Sequence, residues 1–186
     1  MPVFIENFDL SILRAIDSLN IPFLNVIAQG FSLLCEHGLL PILLALALLV
    51  PKRTRRVGMA MAVALLLSVI FTNITIKPLV ARPRPYVKYD IQVSALLPHD
   101  LSFPSGHTSV AFAAAVAYAA TVWRKHRGVA IAAIAVALLV GLSRIWLKVH
   151  YPSDVIVGAL LGSIYGLAAA AIARLISRKF PKLNLD

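Results

Sequence analysis

The sequence predicts an all-α, polytopic bundle of membrane-spanning helices, and three observations predict it. Apolar residues fill 60% of the 186 positions and charged residues only 14%, against somewhat under half and about a quarter in an ordinary soluble domain. The apolar excess is gathered into long runs rather than spread along the chain. Short basic clusters separate those runs, as loops on one side of a bilayer do. A net charge of +10 is compatible with a nucleic-acid partner, but the basic residues flank apolar spans instead of lining a polar face. The expected partner is therefore the lipid bilayer and not nucleic acid.

The elements follow in order. Residues 9–20 read as an amphipathic helix, with Leu10, Ile12, Leu13, Ile16 and Leu19 among charged positions. Residues 21–35 are apolar but short, and Asn25, Gln29 and Gly30 interrupt them. At about 1.5 Å per residue this run is too short to cross a core of about 30 Å comfortably. The stretch 9–35 is thus expected to lie in or dip into the interface, with a sixth span as the alternative. About five spans are expected, near 39–50, 57–76, 105–123, 129–147 and 152–176, the first short enough to borrow residues from both ends. Residues 1–186 read as a single membrane-embedded domain. The opening residues, with Glu6, Asp9, Arg14 and Asp17, do not read as a cleavable signal. Cys35 is the only cysteine, so an intramolecular disulfide is excluded. Gly158, Gly162 and Gly166 recur at four-residue spacing, as in a close helix-packing seam.

Basic clusters set the orientation. With five spans, those at 51–56, 124–127 and 174–182 share one side, which the positive-inside rule makes cytoplasmic. The loop 77–104 and the turn 143–151 then lie outside. They nevertheless carry Lys77, Arg82, Arg84, Lys88, Arg144 and Lys148, against that rule, and an anionic substrate supplies a reason.

Three polar clusters stand at the outer span ends. Asp154 opens an otherwise apolar span, where a lone charge is costly and a partner is expected. His150 lies one helical turn before it, and a carboxylate behind an imidazole fixes its tautomer and stabilises its protonated form. Ser105 reads as a helix N-cap. The free N–H groups of Ser105, Gly106 and His107 favour an anion, and His107 is placed to protonate a leaving oxygen. Lys77, Arg84 and Arg144 supply charge for phosphoryl oxygens. Arg82 reads as a headgroup or loop residue and His99 as a solvated one.

Lys77-x6-Arg84-Pro85, Pro104-Ser105-Gly106-His107 and Ser143-Arg144-x5-His150-x3-Asp154 together resemble the three-part signature of the type 2 phosphatidic acid phosphatase family, which is related to the vanadium haloperoxidases. The resemblance covers roughly residues 39–176. It implies His150 as nucleophile, Asp154 as its partner and His107 as general acid, with Lys77, Arg84, Ser105, Gly106 and Arg144 binding phosphate. It also implies catalysis without a metal or other cofactor, and the sequence has no outer carboxylate cluster of the kind that holds magnesium. The implied substrate is a lipid phosphate monoester or diphosphate, such as undecaprenyl diphosphate, phosphatidylglycerol phosphate or phosphatidic acid, with selectivity placed in the loop 86–101. A lipid phosphotransferase and an anionic-lipid transporter are the alternatives. No oligomeric state is implied.

The expected protein is a multi-pass protein of the cell membrane with its site outside the cytoplasm. In a background lacking Cys35, an impermeant thiol reagent applied to intact cells should label Ser94→Cys and miss Thr54→Cys; the reverse pattern contradicts this orientation.

Overall fold

The computed structural model describes residues 1–19, 21–89, 91, 93 and 97–180. Asn20, Asp90, Gln92, the labelling position Ser94 with Ala95 and Leu96, and the end of the last basic cluster from Pro181 on lie outside the described residues. Every described element is helical: α1 (Val3–Leu19), α2 (Pro22–Leu33), α3 (Leu39–Leu49), α4 (Arg55–Leu67), α5 (Lys77–Val80), α6 (Pro85–Lys88), α7 (Gly106–Trp146) and α8 (Pro152–Lys179). Short 3-10 turns at Glu36–Gly38 and Lys52–Thr54 precede α3 and α4, and a π-helical segment, Ser68–Ile76, joins α4 to α5.

Four helical stretches are long and apolar enough to cross a membrane: Pro22–Leu49, Lys52–Lys88, Gly106–Trp146 and Pro152–Lys179. The third would be about 60 Å long if straight, twice the thickness of the hydrocarbon core. It is folded instead. His126 leaves helical geometry at φ −138°, ψ 45°, and Ala111 and Ala115 of the first arm share a buried cluster with Ala137 and Val140 of the second. The bend falls inside the basic run Arg124–Arg127, so the two arms of α7 correspond to the spans expected near 105–123 and 129–147.

The first stretch begins earlier than the sequence reading places it, at Pro22 rather than residue 39. Its break at Glu36–Gly38 turns on His37 (φ 50°) and Gly38 (φ 70°). Two polar residues of α2 bond inward to the second arm of α7: Asn25, one of the interruptions of the apolar run, and Ser32. Trp146 Nε1 donates to Asn25 Oδ1 at 2.9 Å, and Arg144 donates to Ser32. A run with polar interruptions is tolerated at this depth because those groups are satisfied by a neighbouring helix.

In α1, Asp9 and Leu13 are buried one turn apart, while Phe4 and Phe8 are exposed. Its acids therefore face the protein, leaving the aromatic residues for lipid. Glu6 pairs with Lys88, Asp9 with Arg82, and Asp17 with Lys148. This qualifies the charge argument made from sequence: three of the six basic residues expected outside are neutralised by α1 rather than held in reserve for a substrate.

The small residues of α8 set how closely it meets the first arm of α7. A Cβ added at Gly158 would lie 2.7 Å from the Ser105 carbonyl oxygen, and one at Gly162 would lie 2.4 Å from that of Ser109. Ser109 also bonds to Ser68 at 2.7 Å and to Thr72 at 3.0 Å. These contacts align the π-helical continuation of α4, the first arm of α7 and α8. The turn before α4, the bend at His126 and the end of α8 therefore share one end of the bundle, and the three signature clusters share the other.

Because backbone opposes any side chain at residue 162, Gly162→Val should overpack the seam and cost roughly 1–3 kcal/mol. Gly30→Ala, where nothing lies within 4 Å, should be neutral or slightly stabilising. Thermal unfolding in detergent checks both; equal midpoints would contradict this account of the seam.

Candidate active site

A cavity of about 1070 Å³ opens at the signature end, and its walls include Lys77, Arg84, Gly106, His107, Arg144 and His150. Local backbone geometry places each of them. Lys77 follows the π-helical segment, and Ala81, at φ 50°, then ends α5 so that the chain turns back toward Arg84, the N-cap of α6. Gly106 opens α7, where a Cβ would stand 2.7 Å from Asn73 Oδ1. Arg144 lies in the last turn of α7, and its carbonyl accepts the N–H groups of Val149 and His150, which folds the link to α8 back over the helix end.

The His150 ring is 1% exposed. Burial, followed by the nearby charges of Arg84, Arg144 and Lys77, holds its pKa well below the ordinary imidazole value, so the ring is neutral at pH 7. Arg84 Nη1 lies 3.2 Å from His150 Nε2. A guanidinium only donates, so Nε2 accepts and the proton resides on Nδ1. Nδ1 in turn faces Asp154 Oδ2 and Ser102 Oγ, each at 3.5 Å. Asp154 is locked in place: Oδ2 accepts from Ser102 Oγ at 2.5 Å and the Tyr151 N–H at 3.1 Å, and Oδ1 accepts from Arg82 at 2.6 Å. The result is an imidazole whose Nε2 lone pair points into a cationic cavity and whose Nδ1–H points at a fixed carboxylate.

The cations are arranged for an anion. Arg84 donates to the Asp100 carboxylate at 2.6 Å and to the Asp100 and Val149 carbonyls at 2.7 Å, and Lys77 bonds to the other Asp100 oxygen. Although burial opposes it, the Lys77 hydrogen bond and the charges of Arg84 and Lys77 hold the Asp100 carboxyl below the usual range. Its side chain is 54% exposed, so it is an internal anion seated where an external one can replace it. Arg144 Nε and His107 Nε2 are buried without a hydrogen-bond partner among the described residues. His107 Nε2 lies 3.7 Å from Glu36 Oε2 at the α2–α3 break.

Two expectations change. Ser105 caps α7 as its position predicts, with its hydroxyl 2.8 Å from that of Thr108, but its N–H donates to the Asp154 carbonyl at 3.1 Å. It is fully buried and not in the cavity wall, so the amides left at the helix start are those of Gly106 and His107. Arg82 is not a headgroup residue: it is 8% exposed, bonds to Asp154 and Asp9, and stacks 3.7 Å over the Tyr151 ring. Tertiary contact alone makes this visible, because Asp9 is 73 residues away in the chain. His99 is exposed at the cavity wall, as its lack of a sequence partner implies. Sequence reasoning also missed Asp100, Ser102 and Glu36. Asp100 carried one usable signal, an acid close to the Ser105-Gly106-His107 run in a loop otherwise rich in cations.

Residues 57–178 match the model of the PAP2 superfamily. The chain is 34% identical to an undecaprenyl-diphosphatase of Sulfolobus acidocaldarius over 62% of this chain and 55% of that one, so the match spans about half of that relative's length. It is 38% identical to a decaprenylphosphoryl-5-phosphoribose phosphatase of Mycobacterium tuberculosis over 75% of each chain. The fold is similar to the crystal structure of a transmembrane PAP2-type phosphatidylglycerolphosphate phosphatase from Bacillus subtilis, with TM-score 0.72 and 26% identity over 94% of this chain and 86% of that one.

Since Asp100 competes for Lys77 and Arg84, Asp100→Asn should bind orthovanadate more tightly. Charge-assisted hydrogen bonds of about 1.5–3 kcal/mol make roughly tenfold or more the expected gain. Calorimetric titration in detergent checks it; equal or weaker binding would mean that Asp100 does not occupy the anion site.

Proposed function

The chain belongs to the PAP2 superfamily, and from that premise we propose that it is an integral-membrane lipid phosphate phosphatase acting through a phosphohistidine on His150. The observation that carries the reading is the orientation of the His150 ring, with Nε2 toward the cationic cavity and Nδ1 toward Asp154.

The substrate phosphate displaces the Asp100 carboxylate and takes the charges of Lys77 and Arg84, with Arg144 and the amides of Gly106 and His107 meeting its remaining oxygens. His150 Nε2 attacks phosphorus, and the bond to the leaving oxygen breaks. His107 delivers a proton to that oxygen, while the phosphorylated ring keeps its Nδ1 proton, carrying positive charge against Asp154. In the second half His107 takes a proton from water, which attacks phosphorus and releases Nε2. Basic side chains and helix-end amides fill the charge-stabilising role that many phosphatases give to a cation, so the reaction proceeds without a metal.

The cavity wall supports a lipid substrate. Leu33, Ile42, Leu65, Val69 and Val110 line the same cavity, a surface for acyl or prenyl chains. A phosphate monoester or diphosphate on a lipid fits both parts, in line with the lipid phosphates named for the relatives. The site is assigned to the extracytoplasmic face of the cell membrane because the basic turns share the opposite end of the bundle.

The two histidines separate kinetically. In excess EDTA, wild-type protein should hydrolyse both a short-chain phosphatidic acid and an aryl phosphate. His107→Ala should lose activity toward the lipid by about 10²-fold or more, and recover part of it with the aryl ester, whose leaving group needs no proton. His150→Ala should be inactive toward both. Activity lost in chelator and restored by magnesium, or aryl ester hydrolysis by His150→Ala, would contradict these roles.

A further inference from the structure

We infer that Asp9 and Arg82 are positioning residues for the nucleophile: with Asp154 they form one buried ionic unit that leaves a single net negative charge facing His150. The inference rests on the reading that His150 attacks phosphorus, and it gives the N-terminal helix a part in the reaction.

The three side chains are buried together. Asp9 and Asp154 are both 0% exposed and Arg82 is 8% exposed. Arg82 Nη2 donates to Asp9 Oδ2 at 2.7 Å and Nη1 to Asp154 Oδ1 at 2.6 Å. Ser153, next to Asp154 in α8, fills the remaining positions on Asp9 with its N–H at 2.8 Å and its hydroxyl at 2.6 Å. The Arg82 carbonyl accepts the Ser102 N–H at 2.8 Å, and the Ser102 hydroxyl donates to the other Asp154 oxygen. Arg82 therefore holds Asp154 from both sides, by its guanidinium on Oδ1 and through Ser102 on Oδ2. Tyr151 covers the guanidinium face at 3.7 Å.

Charge counting gives this frame a purpose. Two carboxylates share one guanidinium, so the unit carries one negative charge, and the contact it offers the cavity is Asp154 Oδ2 against His150 Nδ1 at 3.5 Å. When Nε2 bonds to phosphorus and the P–O bond to the leaving group breaks, the ring becomes a cation, and the unit plus ring becomes neutral. Around a ring 1% exposed and a carboxylate 0% exposed, that balance matters far more than it does in solution. Without the Asp9 charge, Arg82 cancels Asp154, and the imidazolium forms beside a neutral pair. The phosphate-binding cations are untouched by the change, so the effect belongs to the chemical step and not to binding.

The test measures kcat and KM for p-nitrophenyl phosphate and a short-chain phosphatidic acid, with unfolding midpoints, for four variants. Asp9→Asn is nearly isosteric and should lower kcat about tenfold or more while KM stays within about threefold. Asp9→Glu restores the charge and should recover most of the loss. Arg82→Lys keeps the charge but has one ammonium to place between two acids; it should show the same kcat-selective loss, and it serves if Asp9→Asn does not fold. His150→Ala separates the inference from the reading beneath it. An inactive His150→Ala beside folded Asp9→Asn and Arg82→Lys at wild-type kcat overturns the inference alone, as does a loss confined to KM or equal in Asp9→Asn and Asp9→Glu. Turnover by His150→Ala overturns the reading itself.

Discussion

A charge carried to membrane depth has to be neutralised within the protein, because lipid offers it neither water nor counterions. The signature end of this bundle follows from that constraint. Each cation there meets an acid, a carbonyl or a hydroxyl: Arg82 lies between Asp9 and Asp154, Lys77 and Arg84 share Asp100, Lys148 takes Asp17, and Arg144 takes Ser32. The pairs differ in what can replace them. Asp9 and Asp154 are sealed, so their pairing with Arg82 is permanent architecture. Asp100 is half exposed, so Lys77 and Arg84 are held by an acid that, on the proposed reading, an incoming phosphate displaces. One rule thus produces both a rigid frame behind His150 and an exchangeable site in front of it.

Helix packing fixes the distances on which this arrangement depends. Gly158 brings α8 against the Ser105 carbonyl, which places Asp154 close enough for its own carbonyl to accept the Ser105 N–H. The two parts of the site that start α7 and α8 are thereby tied through backbone and do not depend on side-chain reach. The bend at His126 returns the second arm of α7 to the same end, delivering Arg144 and the turn that carries His150. The break at Glu36–Gly38 opens the cavity wall opposite and sets Glu36 within 3.7 Å of His107. Small residues, one bend and one break are enough to converge segments that are remote in sequence.

Much of this was legible in the sequence for a simple reason: apolar runs, basic turns and the three polar clusters are local patterns, and locality survives folding. His107, His150, Lys77, Arg84, Gly106 and Arg144 all reach the cavity from those clusters, and Asp154 stands behind His150 as the one-turn spacing implies. Contacts between distant elements were not legible. The apolar positions of α1 suggested a helix lying on the membrane, but periodicity does not say which partner its acidic face meets, and the answer is Arg82, Lys88 and Lys148. Asn25 looked like an interruption of a span because its bond to Trp146 is made across more than a hundred residues, as is that of Ser32 to Arg144. The Ser105 amide was counted as free because its acceptor, the Asp154 carbonyl, lies on another helix.

The central claim is that His150 Nε2 forms the bond to phosphorus, with Asp154 and its ionic partners supporting the charge that results. The most direct measurement is to quench turnover of a radiolabelled lipid phosphate, recover the phosphoenzyme and map the label by proteolysis and mass spectrometry. A phosphoramidate is labile in acid and stable in base, so the account predicts label with that stability on the peptide carrying His150, and none in His150→Ala. Label on Ser105 or His107, or an acid-stable phosphoester, would contradict it.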